Sequence, residues 1–282
     1  MSSHRRFRPA RALGCLSLVL GSASPSLALD LNGFQPEAGR GDVAFSYTFE
    51  SYDEFWFGEM TVPVPNGGEV ETTSFTLWGQ YGFTDDLALV VNLPYVEAES
   101  DDGFGLSESD LQDFSALLRY RFVDVRGGTT RHSLVAAAGG RVPATSYVDN
   151  SPVDVGDGSS DVLFRLVYQF ENGPFYFSQQ VGYDVRGGDS PDGYPLYTEI
   201  GYTVGRVTAT GYYLDYIADG GSDIGDPGFT FTGNKDETTR VGGKLYGRVN
   251  DRFGVSALFF TTLDGRNSGD ASGWSVGGVA RF

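Results

Sequence analysis

The chain has 282 residues, of which 40% are hydrophobic, 14% aromatic and 20% charged, and its formal net charge is −17. This charge argues against a nucleic-acid partner, because a surface that binds phosphates needs a basic stripe. No run of about 18 apolar residues occurs, which excludes a membrane protein built of helices. The abundance of Gly (40), Tyr (16) and Phe (21) remains to be explained.

The first residues have the pattern of a secretory leader. Four arginines between positions 5 and 11 precede the apolar run 12–20, and a small-x-small cleavage site ends at Ala28. We therefore predict that residues 1–28 are a signal peptide. The single cysteine, Cys15, lies in this leader, so the mature chain has no thiol for a disulfide or a metal site. We expect no cofactor.

Along the mature chain the dominant pattern is the two-residue period of β-strands. Residues 42–50 place Val, Phe, Tyr and Phe on one face and small or polar residues on the other. The alternation recurs in twelve segments of about ten residues each. These begin near positions 42, 75, 87, 113, 133, 161, 175, 196, 207, 237, 253 and 273.

The connections between these strands alternate between long and short, as in outer-membrane barrels. The long ones are predicted at 53–72, 97–110, 145–160, 186–195, 218–236 and 264–272. The short ones follow positions 83, 170, 204 and 249, with a somewhat longer one near 123–131.

This pattern predicts an all-β fold, a closed antiparallel transmembrane β-barrel of about 12 strands with long extracellular loops and short periplasmic turns. The barrel spans 42–282, and 29–41 form a short periplasmic N-terminal segment. A soluble β-sandwich would also alternate, but aromatic residues at many strand ends and glycines within strands favour the barrel. The expected location is the outer membrane of a Gram-negative-type cell, in contact with lipid and lipopolysaccharide.

The chain ends with an alternating strand and a terminal aromatic residue, Phe282. This resembles the signature by which the outer-membrane assembly machinery recognises its clients. We therefore expect that machinery to be a partner, and Phe282 to be the assembly signal.

Charged residues are sorted by location. The long loops are acidic and have only Arg186, Lys235 and Arg266 as basic residues. The candidate lumen-lining residues are Arg119, Arg121, Arg141, Arg165, Glu199, Arg240, Lys244 and Arg248. The basic side chains either form a ring that selects anionic solutes, or pair with Glu50, Asp113, Asp161 and Glu199 to fill a narrow barrel.

Two loop features are candidate sites. Phe55, Trp56 and Phe57 form an aromatic cluster that could capture an aromatic substrate, plug the mouth or dip into lipid. Asp149, Asp154, Asp157 and Asp161 are weak calcium candidates, because their spacing matches no EF-hand loop and acidic loops are usually just solvated.

An enzyme is not expected. A barrel hydrolase needs a serine activated by a neighbouring histidine. The mature chain has one histidine, His132, and the adjacent Ser133 would point to the opposite face of a strand.

Two stretches resemble a known family, Gln80–Tyr95 with its Gly-Phe-Thr-Asp turn and Leu-Pro-Tyr strand end, and Ser109–Phe122 with its Arg-Tyr-Arg end. Val142-Pro143, Ser160-Asp161 and the terminal Arg-Phe agree with it. The chain is similar over about 43–282 to the outer-membrane transporters grouped as the phenol-degradation meta-pathway family. The resemblance implies a barrel for passage of small organic compounds, aromatic in some members.

The sequence thus favours a passive channel for a small-molecule solute, organic and either aromatic or anionic. The alternative is a structural or adhesive barrel with a sealed lumen and acidic surface loops.

Overall fold

The computed structural model describes residues 31–100 and 102–282, so the predicted signal peptide lies outside the described residues. Within these ranges, no helix is long and apolar enough to cross a membrane.

The described chain is dominated by β-strands. They are β1 (Gly41–Tyr52), β2 (Glu54–Phe57), β3 (Met60–Pro63), β4 (Val70–Gly82), β5 (Leu87–Ser100), β6 (Leu106–Leu111), β7 (Asp113–Gly127), β8 (Thr130–Pro143), β9 (Asp161–Asn172), β10 (Phe175–Val185), β11 (Asp192–Val204), β12 (Val207–Asp219), β13 (Glu237–Arg248), β14 (Phe253–Arg266) and β15 (Ser272–Arg281).

Twelve antiparallel strands form the barrel wall, which confirms the predicted fold class. β6 and β7 together make up one of the twelve, on either side of Gln112, and β2 and β3 pair with each other in a separate two-stranded sheet. The last strand, β15, pairs along its length with β1, so the sheet closes on itself. Closure leaves no edge strand, and the backbone N–H and C=O groups of the wall find their partners within the sheet.

Two predicted connections are shorter than expected. β7 continues to Gly127 and β8 begins at Thr130, so the connection predicted at 123–131 is a two-residue turn. The pairing shifts register between Arg121 and Val123, and a bulge of this kind ends the regular alternation that the sequence shows. Likewise, β5 and β6 pair within the loop predicted at 97–110, where polar residues obscure the strand pattern.

The wall is apolar outside and polar inside, as the alternation predicts. On the outer face, Phe45 is 54% exposed and Leu118 48% exposed. On the inner face, Ser46, Gln169 and Gln180 are almost fully buried. An aqueous protein would bury the first set and expose the second, so the surface suits a surrounding hydrocarbon.

The first and last residues of the barrel, Gly41 and Phe282, meet at its periplasmic rim. Phe282 and Gly41 exchange two backbone hydrogen bonds of 3.0 Å. The Phe282 ring stacks on Tyr81 at a centroid distance of 6.4 Å and stays exposed. The residue is therefore at the surface of the closing seam. Its recognition by an assembly machinery stays a prediction.

Candidate functional site

The N-terminal segment enters the barrel and occupies its lumen. The Leu31 N–H donates to Gln180 Oε1 and the Gly33 N–H donates to Gln169 Oε1, both at 2.7 Å. Leu31 is only 1% exposed. Sequence analysis places 29–41 in the periplasm, whereas residues 31–34 lie among lumenal side chains. The segment has no strand period, so its sequence carries no signal for this position. The boundaries at 28 and 41 themselves stay predictions.

The side chain of Asn32 anchors this segment at mid-lumen. Its Nδ2 donates to Glu199 Oε2 at 2.9 Å, and the backbone carbonyl oxygen of Asn32 accepts from Arg119 Nη2 at 2.5 Å. Phe34 meets the Tyr176 ring edge-on at 5.0 Å. Arg119 is 1% exposed and forms no ion pair with a carboxylate of the described residues. Its charge is therefore partnered by the peptide of the segment.

Most of the predicted lumen-lining bases are buried in ion pairs. Arg141 binds Asp161 and lies 3.7 Å from Asp113. Arg165 binds Asp184, and both side chains are fully buried. These two clusters lie in the extracellular half of the barrel.

The remaining predicted bases occupy the other side and the lower lumen. Arg240 pairs with Glu50 at 3.2 Å, and Lys244 Nζ lies 2.6 Å from Glu199 Oε1. Arg121 pairs with Asp86 at 2.8 Å near the periplasmic turn. The last of them, Arg248, is partly exposed, and its backbone N–H donates to the Arg206 carbonyl oxygen at 2.8 Å.

This arrangement matches the interpretation in which lumenal charges pair and fill the barrel. Glu50, Asp113, Asp161 and Glu199, the acids named as partners, are all used, and Asp184 joins them. These buried pairs do not form a ring of solvated cations that could attract anionic solutes. Selectivity by these residues stays a prediction.

A cavity of about 230 Å³ lies at the extracellular mouth. The β2–β3 hairpin forms part of the cavity wall. The Trp56 N–H donates to the Ser268 carbonyl oxygen at 2.8 Å, and this bond ties the hairpin to the β14–β15 loop. The apolar part of the cavity lining includes Tyr52, Phe55, Phe57, Val70, Ala98, Phe104, Val153, Ile224 and Phe231, and the rest is largely charged, amide and hydroxyl side chains. An apolar surface combined with polar groups that fix the orientation of a guest is typical of a site for a small organic molecule.

The aromatic cluster of the first loop is therefore part of the mouth. Phe55 and Phe57 line the cavity, and Phe55 meets Phe104 edge-on at 6.3 Å. Trp56 is buried, and its ring occupies the space beside Gly265. Trp56 is buried within the protein and does not itself reach lipid, and the role of the cluster stays a prediction.

The acidic residues of the mouth differ in whether a cation pairs with them. Asp157 binds Arg186, and Asp161 binds Arg141. Burial, followed by the charges of Asp157, Asp236 and Asp149, raises the pKa of Asp154 well above its usual range. Asp154 therefore holds a proton more tightly than a solvated aspartate does.

The calcium candidates do not assemble into a site. Two of the four, Asp157 and Asp161, are engaged by arginines. Across residues 31–100 and 102–282, no group of three or more His, Cys, Asp or Glu side chains is placed to hold a metal ion.

The outer loops are joined by a second ion pair network. Arg266 binds Asp223 at 2.6 Å and Glu59 at 2.7 Å. Hydrogen bonds from Arg266 and then Asn267 lower the pKa of Asp223 to about 2. This network ties the β2–β3 hairpin to the loop after β12, so it holds the cavity wall together.

His132 and Ser133 lie on opposite faces, as adjacent strand residues must. His132 is on the outer face with its Nδ1 2.9 Å from the Tyr168 hydroxyl, whereas Ser133 is buried in the lumen. The two side chains cannot act as base and nucleophile on one substrate. That the protein has no catalytic activity stays a prediction.

Asn32, Gln169 and Gln180 hold the N-terminal segment, and none of them is among the site residues predicted from the sequence. Gln169 lies on the polar face of a predicted strand, whereas Gln180 lies in a segment where polar and apolar residues mix on both faces, and neutral side chains give no charge pattern to follow. Asn32 precedes the first strand, where periodicity offers no guide.

The architecture is similar to that of solved outer-membrane barrels. The crystal structure of the COG4313 outer membrane channel from Pseudomonas putida F1 has a TM-score of 0.71 and 14% identity, over 90% of this chain and 100% of that one. The translocator domain of autotransporter NalP from Neisseria meningitidis has a TM-score of 0.47 and 10% identity, over 88% and 90%. Outer membrane phospholipase A from Escherichia coli has a TM-score of 0.44 and 11% identity, over 84% of this chain and 89% of that one.

No protein-family model matches the sequence, and a search of curated proteins gives no match. The likeness to the Pseudomonas channel is therefore a likeness of fold.

Proposed function

We propose that this protein is an outer-membrane channel that admits small organic compounds, aromatic ones among them, from the cell exterior. The observation that carries the proposal is the aromatic cavity at the extracellular mouth of a closed barrel. A small molecule bound in this cavity lies directly above the lumen of the barrel. We also infer that residues 1–28 direct export and are removed, and that the chain belongs to the phenol-degradation meta-pathway family.

The contents of the lumen support a path that opens. Residues 31–34 belong to no strand of the wall, and Leu31 and Gly33 are bound through side chains of Gln180 and Gln169. Such a segment can leave without breaking a strand pair of the wall. The lumen can then open while the barrel stays closed to lipid.

We propose transport rather than catalysis, because His132 and Ser133 face opposite sides of the wall. One observation favours a second candidate, a structural or adhesive barrel with a sealed lumen. The lumenal arginines Arg119, Arg141 and Arg165 are all at most 4% exposed, so the centre of the barrel is packed in this state.

An uptake assay separates the two candidates. The probe is N-phenyl-1-naphthylamine, a neutral aromatic dye that fluoresces in lipid, added to Gram-negative cells that produce the protein. We expect faster uptake than in cells without it. Phe55→Ser combined with Phe57→Ser should slow uptake roughly tenfold at low dye concentration, since a buried Phe contributes on the order of 1.5–3 kcal/mol to apolar contact.

Val148→Ser is the control, because Val148 is an exposed apolar residue in another loop of the mouth, the one that follows β8, and does not line the cavity. It should leave uptake unchanged. Equal uptake with and without the wild-type protein, at verified surface levels, favours the sealed barrel and rejects the channel.

A further inference from the structure

The mouth cavity carries more negative than positive groups. Glu50, Asp154, Asp157 and Asp236 line it, against Arg186 and Arg240. The two arginines are already bound, Arg240 to Glu50 and Arg186 to Asp157. The surplus is therefore acidic, in a cavity whose lining also includes aromatic side chains such as Phe55, Phe57 and Phe231.

Among the residues that the structure describes, Asp154 has no compensating cation. It forms no ion pair with any residue in the described parts of the chain, and its raised pKa reflects burial beside Asp157, Asp236 and Asp149. A cationic guest would remove this repulsion, because an opposite charge within a few ångströms favours the ionised carboxyl group.

An uncharged group of the same cavity also has unused bonding capacity. Thr238 is 4% exposed and lines the cavity from β13, and its Oγ1 has no hydrogen-bond partner within the described structure. Buried hydroxyl groups are nearly always hydrogen-bonded, so an unpartnered one facing a cavity marks a position for a polar group of a guest. A hydroxyl oxygen can accept from an N–H donor.

We propose that the mouth cavity binds an organic ammonium compound with an aromatic or apolar body. Asp154 receives the ammonium charge, the Thr238 Oγ1 accepts one N–H, and the faces of Phe55, Phe57 and Phe231 contact the body. Ring faces attract cations, so the aromatic and acidic walls favour the same ligand. The inference rests on the proposed function and names the compounds that this site selects.

The surroundings favour the same charge. The long extracellular loops are acidic, and such a field raises the local concentration of cations at the mouth. A metal ion is a poorer occupant, because the described side chains do not offer three acidic or imidazole ligands in one place. An organic anion would face an acidic surplus.

Calorimetric titration of the refolded full-length protein in a nonionic detergent tests this. The probes share one body and differ in charge: phenethylammonium, 2-phenylethanol and 3-phenylpropionate. We expect phenethylammonium to bind the wild type about tenfold or more tightly than the alcohol, as for a charge-assisted hydrogen bond, and the anion to bind most weakly.

Asp154→Asn should remove the preference for the ammonium probe and leave the affinity for the alcohol unchanged. Thr238→Val should weaken ammonium binding about threefold. The matched control is Glu69→Gln, which removes one exposed extracellular charge outside the cavity and should change neither affinity.

Equal affinities for the ammonium and the alcohol in the wild type would overturn the proposal, without reference to any variant. So would a folded Asp154→Asn protein that keeps the preference. The titration and the dye assay test separate claims. A preference for the ammonium probe without dye uptake rejects transport and keeps the ammonium site. Dye uptake without that preference keeps transport and rejects the ammonium site.

Discussion

At the residue scale, the lumen depends on the pairing of buried charges. Arg165 and Asp184 bind each other with both side chains fully buried. A charge buried without its partner costs several kcal/mol, whereas an intact pair is worth little more than an apolar substitute. The pair therefore constrains which sequences the barrel accepts.

Asp184→Asn should lower the free energy of unfolding by about 3–5 kcal/mol, because Arg165 keeps its charge and loses its anion. Urea unfolding of the protein in lipid vesicles measures this. Arg165→Met combined with Asp184→Leu should recover most of the loss, since no charge stays buried.

Asp189→Asn, in the exposed loop that follows β10, serves as the control and should have no effect within about 0.5 kcal/mol. If the Asp184→Asn variant unfolds at the same urea concentration as the wild type, Asp184 does not stabilise the buried charge of Arg165.

At the scale of elements, glycines and tyrosines of neighbouring strands fit together inside the barrel. Gly201 lies directly opposite Tyr176, whose ring fills the position of a side chain at Gly201. Tyr212 occupies the same relation to Gly242. Sequence analysis attributes such glycines to curvature alone. The structure adds that they admit aromatic rings into a narrow lumen.

Also at this scale, the N-terminal segment occupies the lumen, where its backbone is bound by lumenal side chains. Deletion of residues 31–35 removes the contacts of Asn32 and Phe34 and should convert rare, small openings in planar bilayers into a stable conductance, because the lumenal path no longer contains a peptide. The pairing of the wall strands does not involve these residues, and Arg119, which loses its peptide partner, then faces water in the opened lumen, so the heat-modifiable folded band should persist.

Glu37→Gln, an exposed change in the following stretch, provides the comparison and should conduct like the wild type. A folded deletion variant that stays silent would show that lumenal side chains alone seal the barrel.

At the scale of the whole molecule, charge and polarity are sorted into three zones. The outer face is apolar, the lumen holds paired charges, and the extracellular loops are acidic. The sheet can be polar inside because it closes between β15 and β1, and the surrounding hydrocarbon takes the place of a core.

Leu166→Arg tests this sorting, because Leu166 is 44% exposed at the middle of β9. An exposed leucine of a water-soluble protein tolerates arginine, with changes usually within about 0.5 kcal/mol. In a bilayer the same change should cost about 2–4 kcal/mol of the free energy of unfolding.

Unfolding from vesicles measures that cost, and Glu69→Arg in an exposed loop is the companion variant, expected to be neutral. A neutral Leu166→Arg protein would mean that this face is not in lipid.

The sequence by itself determined the number of wall strands and the faces that most of them present, whereas polar and apolar residues mix on both faces of 175–185 and 207–217. These properties are local, because a two-residue period and a turn are visible in neighbouring residues of one segment. It also showed which lumenal bases and acids were available to pair, as with Arg240 and Glu50, without deciding that they do so.

Only the tertiary structure decided what fills the barrel. Asn32 meets Glu199, and Phe55 faces the same cavity as Asp154 and Thr238, although these residues are far apart along the chain. Contacts of this kind follow from how the closed sheet brings distant strands around one small volume. A periodic pattern carries no information about which groups share that volume, so neither the lumenal peptide nor the acidic aromatic mouth could be predicted.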